Sequence, residues 1–211
     1  MIMRQDETLL IGSRKAIKAL EDREHARLLV ISDSHGNSGI LCDIIKRYGK
    51  DCDAFIFCGD GLGDLAALFS QAGSDKELAA AIPEVSAFAR GNCDPGEYPV
   101  GWKRLRAPIE QELTVNGHRL MIVHGHAHGV DFGMERLGLE MKLNGCDCAF
   151  YGHTHVAAFE QEGEFKFVNP GSCARPRGGQ PAGFAIATIE KTFIDIAFIK
   201  CQDFSLWQPI M

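Results

Sequence analysis

The sequence predicts an α/β fold in which two packed β-sheets, one mixed and one mainly antiparallel, carry helices on their outer faces. Three observations predict it. The first half alternates short, continuous apolar runs with stretches of helical periodicity, the pattern of repeated βαβ units on a largely parallel sheet. The second half is rich in paired strand-like runs around Asn116-Gly117, Glu162-Gly163 and Lys191, which read as hairpins. The chain is 211 residues long, 45% hydrophobic and 24% charged, enough for one self-sufficient core and too apolar for disorder.

The elements follow in order. Residues 1–26 form a helical extension, with Leu10, Ile17 and Leu20 on one stripe of a helix over 8–24. Residues 27–211 then make a single domain without repeat or linker. Its first strand is 27–32 (RLLVIS), apolar throughout as a strand buried on both faces should be. Residues 38–48 place Ile40, Leu41, Ile44 and Ile45 at helical spacing, with Gly49 as a stop. Strands over 54–58 and 85–89 enclose a helical stretch over 65–81. Hairpin strands over 113–115 and 119–123 come next, then a helix over 130–143 and a strand over 148–151. Two further hairpins, 157–160 with 165–168 and 184–189 with 193–199, complete the sheets.

A net charge of −6 argues against a broad nucleic-acid backbone groove. No apolar stretch is long enough to span a membrane, and Asp6 and Glu7 interrupt any leader-like opening. Most of the eight cysteines lie in or beside apolar runs, and Cys146 and Cys148 form CxC rather than a paired CxxC site. Reduced, structural thiols in a cytoplasmic protein are the expectation.

The chemistry sits just after the strands. Asp33-Ser34-His35, Gly59-Asp60, Gly91-Asn92-Cys93-Asp94, His124-Gly125-His126 and Gly152-His153-Thr154-His155 each follow an apolar run. Strand C-terminal ends are where open α/β sheets build their sites. DxH or GD alone would be weak evidence, but five strand ends bearing Asp, Asn or His in chain order fit a two-metal centre. Two divalent cations bring about four positive charges and Asp33 and Asp60 bring about two negative ones, leaving charge for a hydroxide and a phosphate oxygen.

The motifs ISDSHGN (31–37), CGDG (58–61), RGNCD (90–94), VHGH (123–126), YGHTH (151–155) and NPGS (169–172) resemble those of the calcineurin-like metallophosphoesterases. Within them the chain is most similar to the small phosphodiesterases of the YfcE type, relatives of the Vps29 scaffold. The resemblance spans about residues 27–200 and implies a four-layer αββα sandwich of two mixed β-sheets flanked by helices. It implies one metal on Asp33, His35, Asp60 and His155, and a second on Asp60, Asn92, His124 and His153. It further implies hydroxide attack in line on phosphorus, with Mn2+ as the usual ion and Ni2+, Co2+, Mg2+, Fe or Zn2+ as alternatives. Many members of the wider superfamily carry His where this chain has Cys93. A thiol is a poor general acid, so esters with good leaving groups should turn over better.

Other residues are weighed against simpler roles. Asp94 either orients a neighbour, takes part in proton transfer, or caps a turn before Pro95. His126 either hydrogen-bonds near the metals or substrate, or is a turn histidine. His128, His25 and His118 read as structural or surface residues, and Tyr151 as core. The NPGS loop should support the metal-binding loops. Arg175 and Arg177 suit phosphate contacts, but a solvated loop accounts for them as well. Asp131 and Glu135 match a helix dipole and need no catalytic role. The favoured function is a metal-dependent phosphodiesterase acting on a small-molecule phosphate ester. Alternatives are a phosphomonoesterase, such as a nucleotide or protein phosphatase, and a catalytically silent Vps29-like scaffold. Homo-oligomerisation is an open expectation.

Overall fold

A computed structural model describes residues 5–209; residues 1–4 and 210–211, the outer ends of the expected extension and domain, lie outside the described set. In chain order the elements are α1 (Arg14–Glu21), β1 (His25–Ile31), α2 (Ser38–Tyr48), β2 (Ala54–Phe57), α3 (Leu62–Ala72), α4 (Lys76–Ala81), β3 (Val85–Phe88), β4 (Glu97–Val100) and β5 (Lys103–Arg106). They continue with β6 (Glu110–Val115), β7 (His118–Val123), α5 (Glu135–Asn144), β8 (Cys148–Phe150), β9 (Ala158–Glu162), β10 (Phe165–Asn169), β11 (Gly183–Glu190), β12 (Ile194–Lys200) and β13 (Leu206–Trp207).

A six-stranded sheet runs β13-β12-β11-β1-β2-β3, and a five-stranded sheet runs β6-β7-β8-β10-β9. Strand alternation sorts the core into layers. In β1, Leu29 and Ile31 face α2 and α3 with Leu41, Ile44, Leu65 and Leu68, whereas Leu28 and Val30 face the second sheet. In β7, Leu120 and Ile122 meet them between the sheets, while Met121 and Val123 turn outward to Leu137 and Met141 of α5. Helices, sheet, sheet, helix: this is the four-layer sandwich with two mixed sheets.

Several details differ from the sequence reading. The second sheet is not mainly antiparallel: β7-β8 and β8-β10 pair parallel, and β6-β7 and β10-β9 antiparallel. A parallel β7-β8 pair needs a crossover, and α5 is that crossover. The last hairpin, β11-β12, joins the first sheet, with β11 antiparallel beside β1. The stretch 65–81 is two helices; Asp75 caps the second by accepting from Leu78 N at 3.0 Å. The helix over 130–143 begins only at Glu135, after Gly133 at φ 135°. The structure adds the β4-β5 hairpin and β13, which no apolar pattern in the sequence marks.

The helix over 8–24 is shortened to α1, started by Ser13, whose Oγ accepts from Ala16 N at 3.0 Å. The residues before it do something else. Ile11 exchanges two backbone hydrogen bonds of 2.9 Å with Ser86 of β3, an edge strand, and buries its side chain in the core. The segment thus covers part of an otherwise open sheet edge.

Candidate active site

Three parallel strands of each sheet, β1-β2-β3 and β7-β8-β10, point their C-terminal ends to one place. The loops leaving them bend sharply. Asp33, His35, Asp60, His153 and His155 have φ of 56°, 42°, 55°, 70° and 60°, five of the eight non-glycine residues with positive φ among those described. Such backbone is strained by about 1–3 kcal/mol per residue and persists only where its surroundings over-determine it. Here they do. Asp33 N donates to Gly59 O at 3.0 Å and His35 N to Asp60 O at 3.1 Å, stitching the first loop to the second. Glycine makes the close approaches: a Cβ on Gly152 would lie 2.0 Å from Ser32 Oγ and 2.7 Å from Asp33 Oδ2.

The side chains converge around Asp60. On one side, Asp33 Oδ1 lies 3.2 Å from His155 Nε2 and 3.8 Å from His35 Nε2, and the two Nε2 atoms are 2.9 Å apart. His35 Nε2 is 3.7 Å from Asp60 Oδ2. On the other side, the same Asp60 oxygen is 3.5 Å from His124 Nε2, which lies 3.1 Å from Asn92 Oδ1. The trios Asp33/His35/His155, His35/Asp60/Cys93 and Asp33/Asp60/His124 each bring three donor atoms within 4.8 Å of one another. His153 stands outside these trios, its ring 5.1 Å from that of His124.

These groups fit divalent cations. The fully buried Asp33 has an Oδ1 with no hydrogen-bond partner, a costly state unless a cation or equivalent takes it. His124 Nδ1 faces Cys58 O at 2.7 Å and His155 Nδ1 faces Arg175 O at 2.6 Å. A carbonyl can only accept, so each Nδ1 carries the proton, and in the neutral ring the Nε2 lone pair looks into the cluster, as metal-binding imidazoles are arranged. His153 Nε2 faces Asp131 Oδ2 at 2.8 Å, leaving Nδ1 as its free nitrogen. Asp131, to which the sequence assigned no role, therefore orients a site histidine.

Electrostatics follow from the crowding. Burial raises the Asp60 pKa, but the His124 imidazole and the bonds from Cys93 outweigh it and hold the carboxyl well below its usual range. Burial lowers His124, and Asp60 and Asp33 more than offset this to raise it. His155 is raised by its contact with Asp33 against the effect of burial. His35 is lowered by burial, with Asp33 and Asp60 opposing. The Cys93 thiol is pushed up to about 11, first by Asp60 and then by burial.

Four residues that the strand-end pattern did not single out, with Asp94, hold the loops. Asp94 accepts from the backbone N–H groups of Asp60 (2.8 Å), Gly91 (2.9 Å), Gly61 (3.0 Å) and Leu62 (2.8 Å), which ties the second and third loops together and caps α3. With both oxygens so engaged it orients the Asp60 loop rather than moving protons. Asp64, buried on α3, accepts from Ser34 Oγ at 2.6 Å and Gly36 N at 2.9 Å and so fixes the Asp33–His35 turn. Asn169 donates to Gly152 O at 2.9 Å, and Ser172 Oγ donates to Asp33 O at 2.7 Å. Ser32 Oγ donates to Asp33 Oδ2 at 2.6 Å. The NPGS motif points to Asn169 and Ser172 as supports of these loops, whereas Ser32 beside a strand and Asp64 on a helix carry no sequence signal of this work.

His126 lies 5.3 Å from His124, ring to ring, with a buried Nδ1 that has no partner; burial, and then the neighbouring His124 and His153, lower its pKa. His128 faces Glu110 at 3.0 Å, His25 pairs with Glu190, and His118 pairs with Asp147, all away from the cluster. Beside the cluster is an open cavity of about 370 Å3, whose walls include His35, Asp60, Cys93, Tyr98 and Arg175.

The family model described as Calcineurin-like phosphoesterase superfamily domain matches residues 27–192. The chain belongs to the calcineurin-like phosphoesterase superfamily. Among the relatives of this phosphoesterase is the probable metallophosphoesterase YsnB of Bacillus subtilis (strain 168), 30% identical over 172 residues that cover 81% of this chain and 89% of YsnB. Phosphodiesterase YfcE of Escherichia coli (strain K12) is 32% identical over 169 residues, 76% of this chain and 86% of YfcE. A solved Streptococcus pneumoniae TIGR4 protein, described as a conserved uncharacterized protein and predicted phosphoesterase, superposes with a TM-score of 0.67 at 25% identity, covering 88% of this chain and 94% of that one. Among the described residues of this phosphoesterase, no helix is long and apolar enough to cross a membrane.

Proposed function

We propose that this phosphoesterase hydrolyses small phosphate diesters with the help of two divalent cations, Mn2+ being the expected pair. The observation that carries the reading is the position of Asp60, whose Oδ2 lies between His35 at 3.7 Å and His124 at 3.5 Å, at the junction of two donor sets. Asp33, His35, Asp60 and His155 would hold one cation, and Asp60, Asn92, His124 and His153 the other. Bound there, the cations would supply Lewis-acid charge and an activated water near neutral pH.

The chain's own residues prepare that site. Asp94 and Asp64 fix the loops that carry Asp60, Asp33 and His35, so little reorganisation is left for the reaction. Cys93, exposed beside Asp60 with its thiol pushed up to about 11, is a weak donor to a departing alkoxide. This favours diesters whose leaving alcohol is acidic. The name of the YfcE relative, a phosphodiesterase, supports the same choice. We assign residues 27–211 to one catalytic domain with 1–26 as its extension. Eight unpaired cysteines, seven of them buried, suit the reducing cytoplasm, to which we assign the chain.

The test compares bis(p-nitrophenyl) phosphate with p-nitrophenyl phosphate, using metal-stripped protein with and without Mn2+. Mn2+-dependent cleavage that favours the diester is expected. Preference for the monoester would make the chain a phosphomonoesterase, and inactivity on both across several metals would favour a scaffold role.

A further inference from the structure

The loop after β10 carries two arginines, Arg175 and Arg177, of similar promise in the sequence, and the structure separates them. Arg175 lines the cavity beside the donor cluster together with His35, Asp60, Cys93 and Tyr98, and Arg177 does not. The Arg175 backbone is pinned on both sides: its N–H donates to Ser172 Oγ at 2.7 Å and its carbonyl accepts from His155 Nδ1 at 2.6 Å. Its side chain is a different matter. Asp33, Asp60, Asp64 and Asp94 all lie around this site, yet among the described residues no carboxylate or hydrogen-bond acceptor takes the guanidinium. An exposed, permanently charged fork is thus anchored at its root and open at its tip, on the wall of the cavity beside the donor cluster.

From this placement we infer that Arg175 is a substrate-binding residue, whose guanidinium holds a non-bridging oxygen of the phosphoryl group in the cavity. The inference rests on the phosphoesterase reading of the site and adds to it an anion contact supplied by a side chain rather than by a cation. Guanidinium N–H groups match phosphate oxygens in a bidentate, charge-assisted pair. At about 370 Å3 the cavity takes a phosphoryl group with a small substituent, and Tyr98 walls it on the β4 side. The side chain can be exchanged without disturbing the metal loop, because the bonds to Ser172 and His155 both run through the main chain.

The experiment uses the full chain loaded with Mn2+ and inorganic phosphate as the probe. Phosphate binding is measured by calorimetry and by competition against bis(p-nitrophenyl) phosphate, for the unmodified protein, Arg175→Gln, Arg175→Lys and Arg177→Gln, with metal content determined for each. Arg175→Gln should weaken phosphate binding and raise the diester KM by about tenfold or more, at unchanged metal content. Arg175→Lys should recover part of the loss, and Arg177→Gln should match the unmodified protein. Phosphate binding within twofold of normal in Arg175→Gln would overturn the inference, as would a loss matched by Arg177→Gln or a drop in metal content. If the unmodified protein cleaves no diester yet binds phosphate through Arg175, the phosphodiesterase reading fails and the subsite stands. If it cleaves the diester and Arg175→Gln changes nothing, the reverse holds.

Discussion

At the scale of single residues, the site is built from candidate ligands that announce themselves and supports of which several do not. Asp33, His35, Asp60 and the histidines of the GHTH motif stand out because they follow apolar runs. Asp131 does not, since an acidic residue near a helix start is ordinary. Its role depends on His153, 22 positions away in sequence, whose Nε2 it faces at 2.8 Å. Without an acceptor there, the imidazole is free to turn or to protonate the other nitrogen. Partners of this kind are typically worth about 10–100-fold in metal affinity. Because the Asp131 side chain is 48% exposed, Asp131→Ala should fall toward the lower end of that range, and Asp131→Asn, which keeps an acceptor, should lose less. Competition with a chelator for Mn2+ measures this. Unchanged affinity in the alanine variant would mean that the pairing does not govern His153.

At the scale of elements, strands that supply the site were legible and their partners less so. β1, β2, β3, β7 and β8 read clearly because each is buried on both faces and ends in a polar turn. β4 and β5 escaped, since strands containing Pro99 or reading Lys103-Arg104-Leu105-Arg106 bury too little to leave a pattern. Which sheet the last hairpin joins is a non-local choice, invisible to local periodicity. The N-terminal segment misled for a related reason: Leu10 continues a helical stripe with Ile17 and Leu20, but Gly12 at φ 150° and the Ser13 cap break the helix, and Ile11 pairs with β3. That pairing makes a prediction. Ile11 is 1% exposed, so Ile11→Ala should destabilise the protein by about 2–5 kcal/mol in denaturant titration. A loss well under 1 kcal/mol would mean that the extension does not contribute to the domain's core.

At the scale of the whole molecule, two sheets aim their parallel strand ends at one point and so collect what a fold ordinarily avoids. Five residues with left-handed backbone, the buried carboxylates of Asp33 and Asp60 and four converging imidazoles lie together, and Asp33 Oδ1 accepts no hydrogen bond. Hydrogen bonds donated by Ser32, Asn169 and Ser172 and accepted by Asp64 and Asp94 hold this arrangement, but none of them answers that oxygen. A cation that binds the folded chain and not the unfolded one would both answer it and stabilise the fold by mass action. At a concentration about 100 times its Kd, one such ion adds about 2.7 kcal/mol. For a chain of this size each kcal/mol moves Tm by about 2–4 °C. Metal-stripped protein should therefore gain about 5–10 °C in Tm per bound cation, and Tm should climb further with the logarithm of Mn2+ concentration and fall back on chelation. Asp60→Asn, which touches both donor sets, should flatten most of that climb. A Tm indifferent to Mn2+ and to every other divalent ion tried would mean that the cluster is not a metal centre, whatever its geometry.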